Sequence, residues 1–192
     1  MNTRALTFLA ASLLAALCVE SAQAAVTVIG NNTLAQSCFQ YAEIGGSAAN
    51  GIAVCSEALD TQPLAFKDRA ATLINRGILR TRTGDTENAV ADYNEGIRMN
   101  PKLGEAYVDR GAAMISMKKW DDALRDINQG IALGTKRLHI AYYDRAIVQE
   151  EMGDVRAAYD DYKKAADLEP GFTLATQQLE RFHVVVRKSG GA

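Results

Sequence analysis

Apolar and small side chains recur at helical spacing through the middle of the chain, and the pattern restarts every 34 or 35 residues. In residues 70–103 it predicts two helices, at roughly 67–83 and 87–99, with Gly84 and Asp85 between them. Asn100 and Pro101 end the second helix, because proline cannot continue one. A helix pair of this size cannot bury its own apolar face, so the pattern predicts stacked pairs.

The repeat is carried by small residues and by one basic and one acidic position. Each of these positions in the first unit has counterparts in two later units: Arg76 in Arg110 and Arg145, Ala89 in Ala123 and Ala158, Asp92 in Asp126 and Asp161, Gly96 in Gly130 and Ala165. The three units cover residues 70–103, 104–137 and 139–172. Residues 25–69 fit a lead-in and a degenerate fourth helix pair. Residues 173–192 fit a capping helix, at 173–187, and a loose tail.

The first 24 residues have the features of an export signal. Arg4 precedes an apolar run at 5–19, and Ala22 and Ala24 have the spacing of small residues that a signal peptidase requires. The run is too short for the alternative, a membrane-spanning helix, which needs about 20 apolar residues. We therefore expect cleavage after Ala24 and a periplasmic or secreted protein.

Two cysteines remain after this cleavage, and we expect them to be joined. An exported protein meets an oxidising compartment, where a disulfide is the default. When the repeat register is extended backwards, Cys38 takes the position of Arg76 and Cys55 that of Tyr93, on facing sides of a helix pair. The alternative, a redox-active pair, lacks a Cys-x-x-Cys spacing and an activating histidine.

Composition and motifs narrow the function to binding. The 192 residues carry a net charge of −2, which gives no basic face for nucleic acid. The chain has no phosphate-binding glycine loop, nucleophile elbow or zinc helix motif, and two cysteines are too few for a structural zinc. We expect no catalytic residue, no metal and no cofactor.

The repeated pattern resembles the tetratricopeptide repeat. Its small, aromatic and proline positions are occupied in the first unit by Gly77, Ala89, Tyr93, Gly96 and Pro101. The resemblance implies an all-α fold, a right-handed α-solenoid of antiparallel helix pairs. There are two departures. Thr135 replaces the second proline beside a one-residue insertion, so we expect a looser or re-angled seam between units two and three. The three arginines stand where the family has an apolar residue.

Three arginines on an inner face need partners, because burying an unpaired charge is costly. Asp92, Asp126 and Asp161 recur with the same period. We therefore predict that each arginine pairs with an aspartate of its own or an adjacent unit. The alternative is a row of arginines that binds anions.

The resemblance also implies a peptide-binding groove lined by the first helix of each unit. Its positions correspond here to Ile74, Ile78, Arg82, Glu105, Val108, Ala112, Ile115, Tyr143, Ile147 and Glu150. Isoleucines replace the lysine and asparagine with which this family holds C-terminal carboxylates. We expect instead a protein or peptide partner with apolar anchors and a basic flank. The alternative is that some of these isoleucines are buried under the N-terminal pair or the cap.

Three hypotheses follow from these features. The first is a non-enzymatic, exported adaptor that binds proteins through the groove. The second is a structural envelope component that buries the same surface in a homodimer. The third is a redox helper that uses Cys38 and Cys55. A fold alone does not decide among them.

Overall fold

The computed structural model describes residues 4–7, 25–26 and 33–186, and this part of the chain is predominantly helical. The helices and strands, in chain order, are β1 (Arg4–Thr7), α1 (Thr33–Ile44), α2 (Ala48–Thr61), α3 (Phe66–Arg82), α4 (Thr86–Met99), α5 (Gly104–Ser116), α6 (Trp120–Ala132), α7 (Leu138–Glu151), α8 (Val155–Leu168), α9 (Thr173–Leu179) and β2 (His183–Val186).

Consecutive helices pack as pairs, and each pair lies against the next. The pairs are α1–α2, α3–α4, α5–α6 and α7–α8, and further contacts join α2 to α3, α4 to α5 and α6 to α7. The apolar core is accordingly divided into clusters along the array rather than gathered in one centre. The predicted α-solenoid of helix pairs is confirmed.

Small residues at the helix crossings permit this close packing. A Cβ added to Gly111 would lie 2.7 Å from the Ile127 side chain, and one added to Gly130 would lie 2.8 Å from the carbonyl oxygen of Gly104. Gly77 has the same relation to the ring of Tyr93, at 2.8 Å. A larger side chain at these positions would hold the paired helices apart.

The predicted arginine–aspartate pairs are confirmed, and each lies within one unit. Arg145 donates from Nε and Nη2 to the two carboxylate oxygens of Asp161, at 2.7 and 2.9 Å. Arg76 pairs in the same way with Asp92, and Arg110 with Asp126. The bond to Asp161 raises the pKa of Arg145, which fits a charge-assisted pair with two parallel hydrogen bonds.

The remaining guanidinium nitrogen of each arginine reaches the preceding helix pair. Nη1 of Arg110 donates to Asn94 on α4 at 2.7 Å, and Nη1 of Arg145 donates to Asn128 on α6 at 2.7 Å. Nη1 of Arg76 donates to Ser56 on α2 at 3.0 Å. Each arginine therefore joins three helices and crosses one junction between units. We call each such set an arginine clasp.

The N-terminal pair carries the predicted disulfide. Cys38 on α1 and Cys55 on α2 are bonded, with their Cα atoms 4.8 Å apart. Both side chains are fully buried beside Ile74 and Ile78 of the first unit. Closing a loop of this length contributes about 3 kcal/mol in the chain-entropy model.

The C-terminal cap differs from the expected helix. Helix α9 ends at Leu179 rather than near residue 187, and Phe182 packs against the third unit beyond it. Three consecutive valines follow, and β-branched side chains favour an extended backbone. They lie in β2, which pairs antiparallel with β1, so that Thr7 faces His183.

Strand β1 belongs to the expected export signal, and the rest of that signal, including the predicted cleavage point after Ala24, lies outside the described residues. The predicted tail at 189–192 also lies outside them. Within the described part of the chain, no helix combines the length and the apolar character needed to cross a membrane.

We expect Asp161→Ala to lower the melting temperature by roughly 4–8 °C. The change leaves the largely buried Arg145 without its carboxylate, which costs about 2 kcal/mol of folding free energy. For a chain of this size, each kcal/mol lowers the melting temperature by about 2–4 °C. Thermal unfolding followed by circular dichroism at 222 nm measures the effect.

The neighbouring Asp160 provides a matched control on the same helix. Its contact with Arg156 is long, at 3.9 Å, and both side chains are well exposed. Asp160→Ala should therefore change stability by no more than about 0.5 kcal/mol. Equal melting temperatures for the two variants would show that the clasp does not stabilise the fold.

Candidate functional site

The first helices of the three units form one layer. Helix α5 contacts both α3 and α7, whereas no equally extensive contact joins α4 to α6 or α6 to α8 among the described elements. Because the first helices lie closer together than the second helices, the array curves toward them. The layer of α3, α5 and α7 is therefore the concave side, where the groove was expected.

Most of the apolar residues predicted for the groove are covered. Ile74 and Ile78 are fully buried in one cluster with residues of the N-terminal pair and of α4, and burial under that pair is what the alternative interpretation of the sequence allowed. The same burial applies to other members of the predicted set: Val108, Ala112, Ile115 and Tyr143. Ile147 is half-buried and keeps the largest exposed part of these apolar side chains.

The charged residues predicted for the groove are bonded to other parts of the array. Arg82 donates to the carbonyl oxygen of Ala42, at the end of α1, at 2.6 Å. Glu105 accepts the backbone N–H of Lys136 at 3.0 Å. Glu150 accepts the Tyr162 hydroxyl at 3.1 Å and is paired with Arg181. These three residues tie together the N-terminal pair, the seam and the cap.

The seam between units two and three is packed despite its inserted residue. Thr135 is buried, and its N–H donates to the carbonyl oxygen of Gly130 at 3.1 Å. Gly134, with a φ of +76°, provides the left-handed turn that ends α6. The loop then directs Arg137 to the carboxylate of Asp109 on α5, at 3.3 Å.

One end of the concave layer holds the main chain of a single residue, Val26. The side-chain amide of Asn75 accepts the N–H of Val26 at 2.6 Å and donates to the carbonyl oxygen of Val26 at 2.8 Å. Asn75 is fully buried, and the side chain of Val26 packs on the first unit. Because both bonds go to main-chain atoms, this contact does not depend on the side chain of the bound residue.

The positions equivalent to Asn75 in the next two units are Asp109 and Asp144. Both are 1% exposed. Neither carboxylate oxygen of Asp144 has a hydrogen-bond partner among the described residues, and Oδ2 of Asp109 also lacks one. Buried polar groups are normally paired, so these three oxygens need an explanation. We call Asn75, Asp109 and Asp144 the floor ladder.

Burial raises the pKa of both ladder carboxyl groups. The pKa of Asp109 rises from 3.8 to about 7, mainly through desolvation, against the opposing charge of Arg137. The pKa of Asp144 rises to about 8 through desolvation and the negative charge of Asp109. The pair therefore retains at least one proton near neutral pH, and Arg137 alone cannot neutralise it when both groups are ionised.

The floor ladder is not among the predicted groove residues, although the sequence carries a signal for it. Each ladder residue immediately precedes a clasp arginine, so the first helix of every unit carries two adjacent polar residues at the same place in the repeat. The arginine explains only one of these two. The arginine–aspartate pairing gives no reason for the other polar residue, at positions 75, 109 and 144.

The described residues contain no group of three or more His, Cys, Asp and Glu side chains that could hold a metal ion. Asp109 is paired with Arg137 rather than with a further possible metal ligand. The chemistry of the floor is thus that of hydrogen bonding and charge pairing.

Comparison with known proteins supports a repeat architecture. The profile described as "Tetratricopeptide repeat" matches residues 70–103 and 139–172, the first and third units. Human serine/threonine-protein phosphatase 5 is 29% identical over 104 residues, which are 54% of this chain and 21% of the phosphatase. The rat mitochondrial import receptor subunit TOM70 is 26% identical over 115 residues, or 57% of this chain and 19% of the receptor. The chain spans about a fifth of the length of these relatives.

Solved structures show the same helix-pair arrangement. The first repeat domain of Spaghetti (RPAP3), bound to the HSP90 peptide SRMEEVD, is 25% identical with a TM-score of 0.57, covering 60% of this chain and 93% of that one. MamA from Desulfovibrio magneticus is 20% identical with a TM-score of 0.63, covering 77% and 82%. The matched profile, together with the helix pairs and the small residues at their crossings, identifies tetratricopeptide repeats in the first and third units of this chain.

Proposed function

We propose that this chain is a non-enzymatic, exported scaffold that binds an extended segment of a partner protein along its concave side. The observation that carries the proposal is the paired contact between Asn75 and the backbone of Val26. A main chain is thus held at α3, and the solved Spaghetti domain, which shares the repeat, is described as bound to a peptide. Recognition through main-chain atoms suits a groove that accepts segments of varied sequence.

The partner segment should differ in charge from the peptide named for that relative. SRMEEVD carries two glutamates and an aspartate. In this chain Ile74 and Ile78 stand where the resembled family has the lysine and asparagine that hold a C-terminal carboxylate, and the floor ladder contains two carboxyl groups. An acidic segment would be repelled, whereas a segment with apolar anchors and a basic flank would be attracted.

The disulfide supports a structural role within an exported protein. Cys38 and Cys55 have no exposed surface, and a catalytic redox pair must be accessible to its substrate thiols. Their burial in the core of the N-terminal pair favours a bond that stabilises the array over a redox helper.

We expect a photo-crosslinking amino acid at Ser116 to capture the partner in the native compartment. Ser116 is exposed at the end of α5, on the concave layer. A crosslinker at Gln129, exposed on α6 in the same unit, serves as the control. Gel electrophoresis followed by mass spectrometry should show a discrete heteromeric product only from position 116.

Two results of this experiment would contradict the proposal. Equal yields from the two positions would place binding outside the groove. A product of twice the chain mass from position 116 would favour the homodimer instead. Light scattering of the purified protein measures its molar mass and so tests the homodimer independently.

We also expect the protein recovered from the periplasm of a bacterial host to begin at Ala25 and to lack both thiol hydrogens. Export removes the leader and exposes the cysteines to oxidation. Intact mass before and after reduction measures both properties. Retention of the full-length chain in the cytoplasm with free thiols would contradict the proposed export.

A further inference from the structure

When both are ionised, Asp109 and Asp144 of the floor ladder carry more negative charge than the nearby basic side chains neutralise. Asp109 has Arg137 as its ion-pair partner at 3.3 Å, and Asp144 has no partner among the described residues. Arg82, the other nearby cation, donates to the main chain of α1. With both carboxyl groups ionised, the floor therefore lacks one positive charge.

We propose that Asp109 and Asp144 form a receptor for one basic side chain, a lysine or an arginine, of the extended segment that the groove binds. This inference rests on the proposed function, since it assumes an occupant of the concave side. It adds the class of residue that the occupant must carry and the place where that residue binds.

The register of the ladder supports an occupant that lies along the layer. Asn75 holds the main chain of Val26 at the first unit, and Asp109 and Asp144 repeat its position at the second and third. A segment continuing along α5 and α7 would pass these carboxyl groups. The apolar stem of a lysine or arginine lets its charged end reach a buried group while the main chain stays at the groove surface.

The binding step exchanges a proton for the cation. Asp144 is mostly protonated at neutral pH, because its pKa is about 8. An arriving ammonium or guanidinium group favours the ionised carboxylate, so a proton leaves to solvent as the pair forms. The deprotonated Asp144 carboxylate gains a hydrogen-bond partner in the bound cation. Its oxygens have no hydrogen-bond partner among the described residues, so no existing hydrogen bond has to break.

The groups that influence this titration lie on several elements. For Asp144 they are Asp109 on α5, Arg137 at the start of α7 and the neighbouring hydroxyl of Tyr143. For Asp109 they are Arg137, Glu105, Arg82 and, on α4, Tyr93. Burial raises the pKa values of Asp109 and Asp144 to about 7 and about 8, so we expect their ionisation to dominate the pH dependence of the floor.

In the protein without a bound partner, the cost of ionising the buried carboxyl groups of Asp109 and Asp144 should appear as a dependence of folding stability on pH. Both folded-state pKa values lie above the ordinary value of 3.8, so the folded chain holds protons that the unfolded chain releases. The free energy of unfolding contributed by these groups therefore falls as pH rises from about 4 to 8. Asp144→Asn should be more stable relative to wild type at pH 8 than at pH 5, measured by urea denaturation. An unchanged difference would show that Asp144 carries no unfavourable charge.

Peptide retention tests the receptor directly. The probes are two pools of acetylated and amidated heptapeptides, one with lysine and one with norleucine fixed at the centre and random residues elsewhere. Norleucine keeps the apolar stem and removes the charge. On the immobilised full chain at pH 8, we expect at least tenfold greater retention of the lysine pool, quantified by mass spectrometry. The preference should decrease toward pH 6, where Asp144 is protonated.

Two variants separate the receptor from general charge effects. Asp144→Asn should abolish the preference for lysine, whereas Asp160→Asn, which removes an exposed charge on α8, should retain it. Equal retention of the two pools by wild type, or a preference that survives in Asp144→Asn, overturns the receptor. If the Ser116 crosslink persists in that case, the groove function stands without it. If that crosslink is also absent, the proposed function fails.

Discussion

The arginine clasp is the interaction on which the array depends. A guanidinium group presents its donors in one plane, so it can hold a carboxylate with two of them and still reach another helix with a third. Here the carboxylate belongs to the same unit and the third acceptor to the preceding pair. The interaction that neutralises a charge inside each unit therefore also sets the position of that unit against its neighbour.

The sequence was sufficient for the helix pairs, the disulfide and the clasp, because each depends on residues that recur in register. Ala89, Asp92 and Gly96 have counterparts at fixed spacing, and the facing of Cys38 and Cys55 follows from the same register. The end of α9 could not be obtained this way. No later repeat constrains it, and the local preference of three valines for an extended backbone decides where the helix stops.

The groove was harder to predict, because burial depends on what covers a residue and not only on its position in the repeat. Ile74 and Ile78 lie in one buried cluster with residues of α1, α2 and α4, and Ile74 packs against Gly96 of α4. Arg82, Glu105 and Glu150 could not be assigned from sequence for a related reason: their partners lie in the connecting segments and the cap, which do not repeat. The polar residues before the clasp arginines remain as the repeated feature that internal packing does not explain.

The inserted residue at the seam connects the array to its floor. The connection that contains it turns at Gly134 and carries Arg137, which pairs with Asp109 of the preceding unit. With Arg137 in place, one acidic position is compensated and the next, Asp144, is not. The departure from the family pattern thus creates an asymmetry along the groove. The asparagine of the first unit holds a main chain, the aspartate of the second is paired, and the aspartate of the third has no hydrogen-bond partner among the described residues.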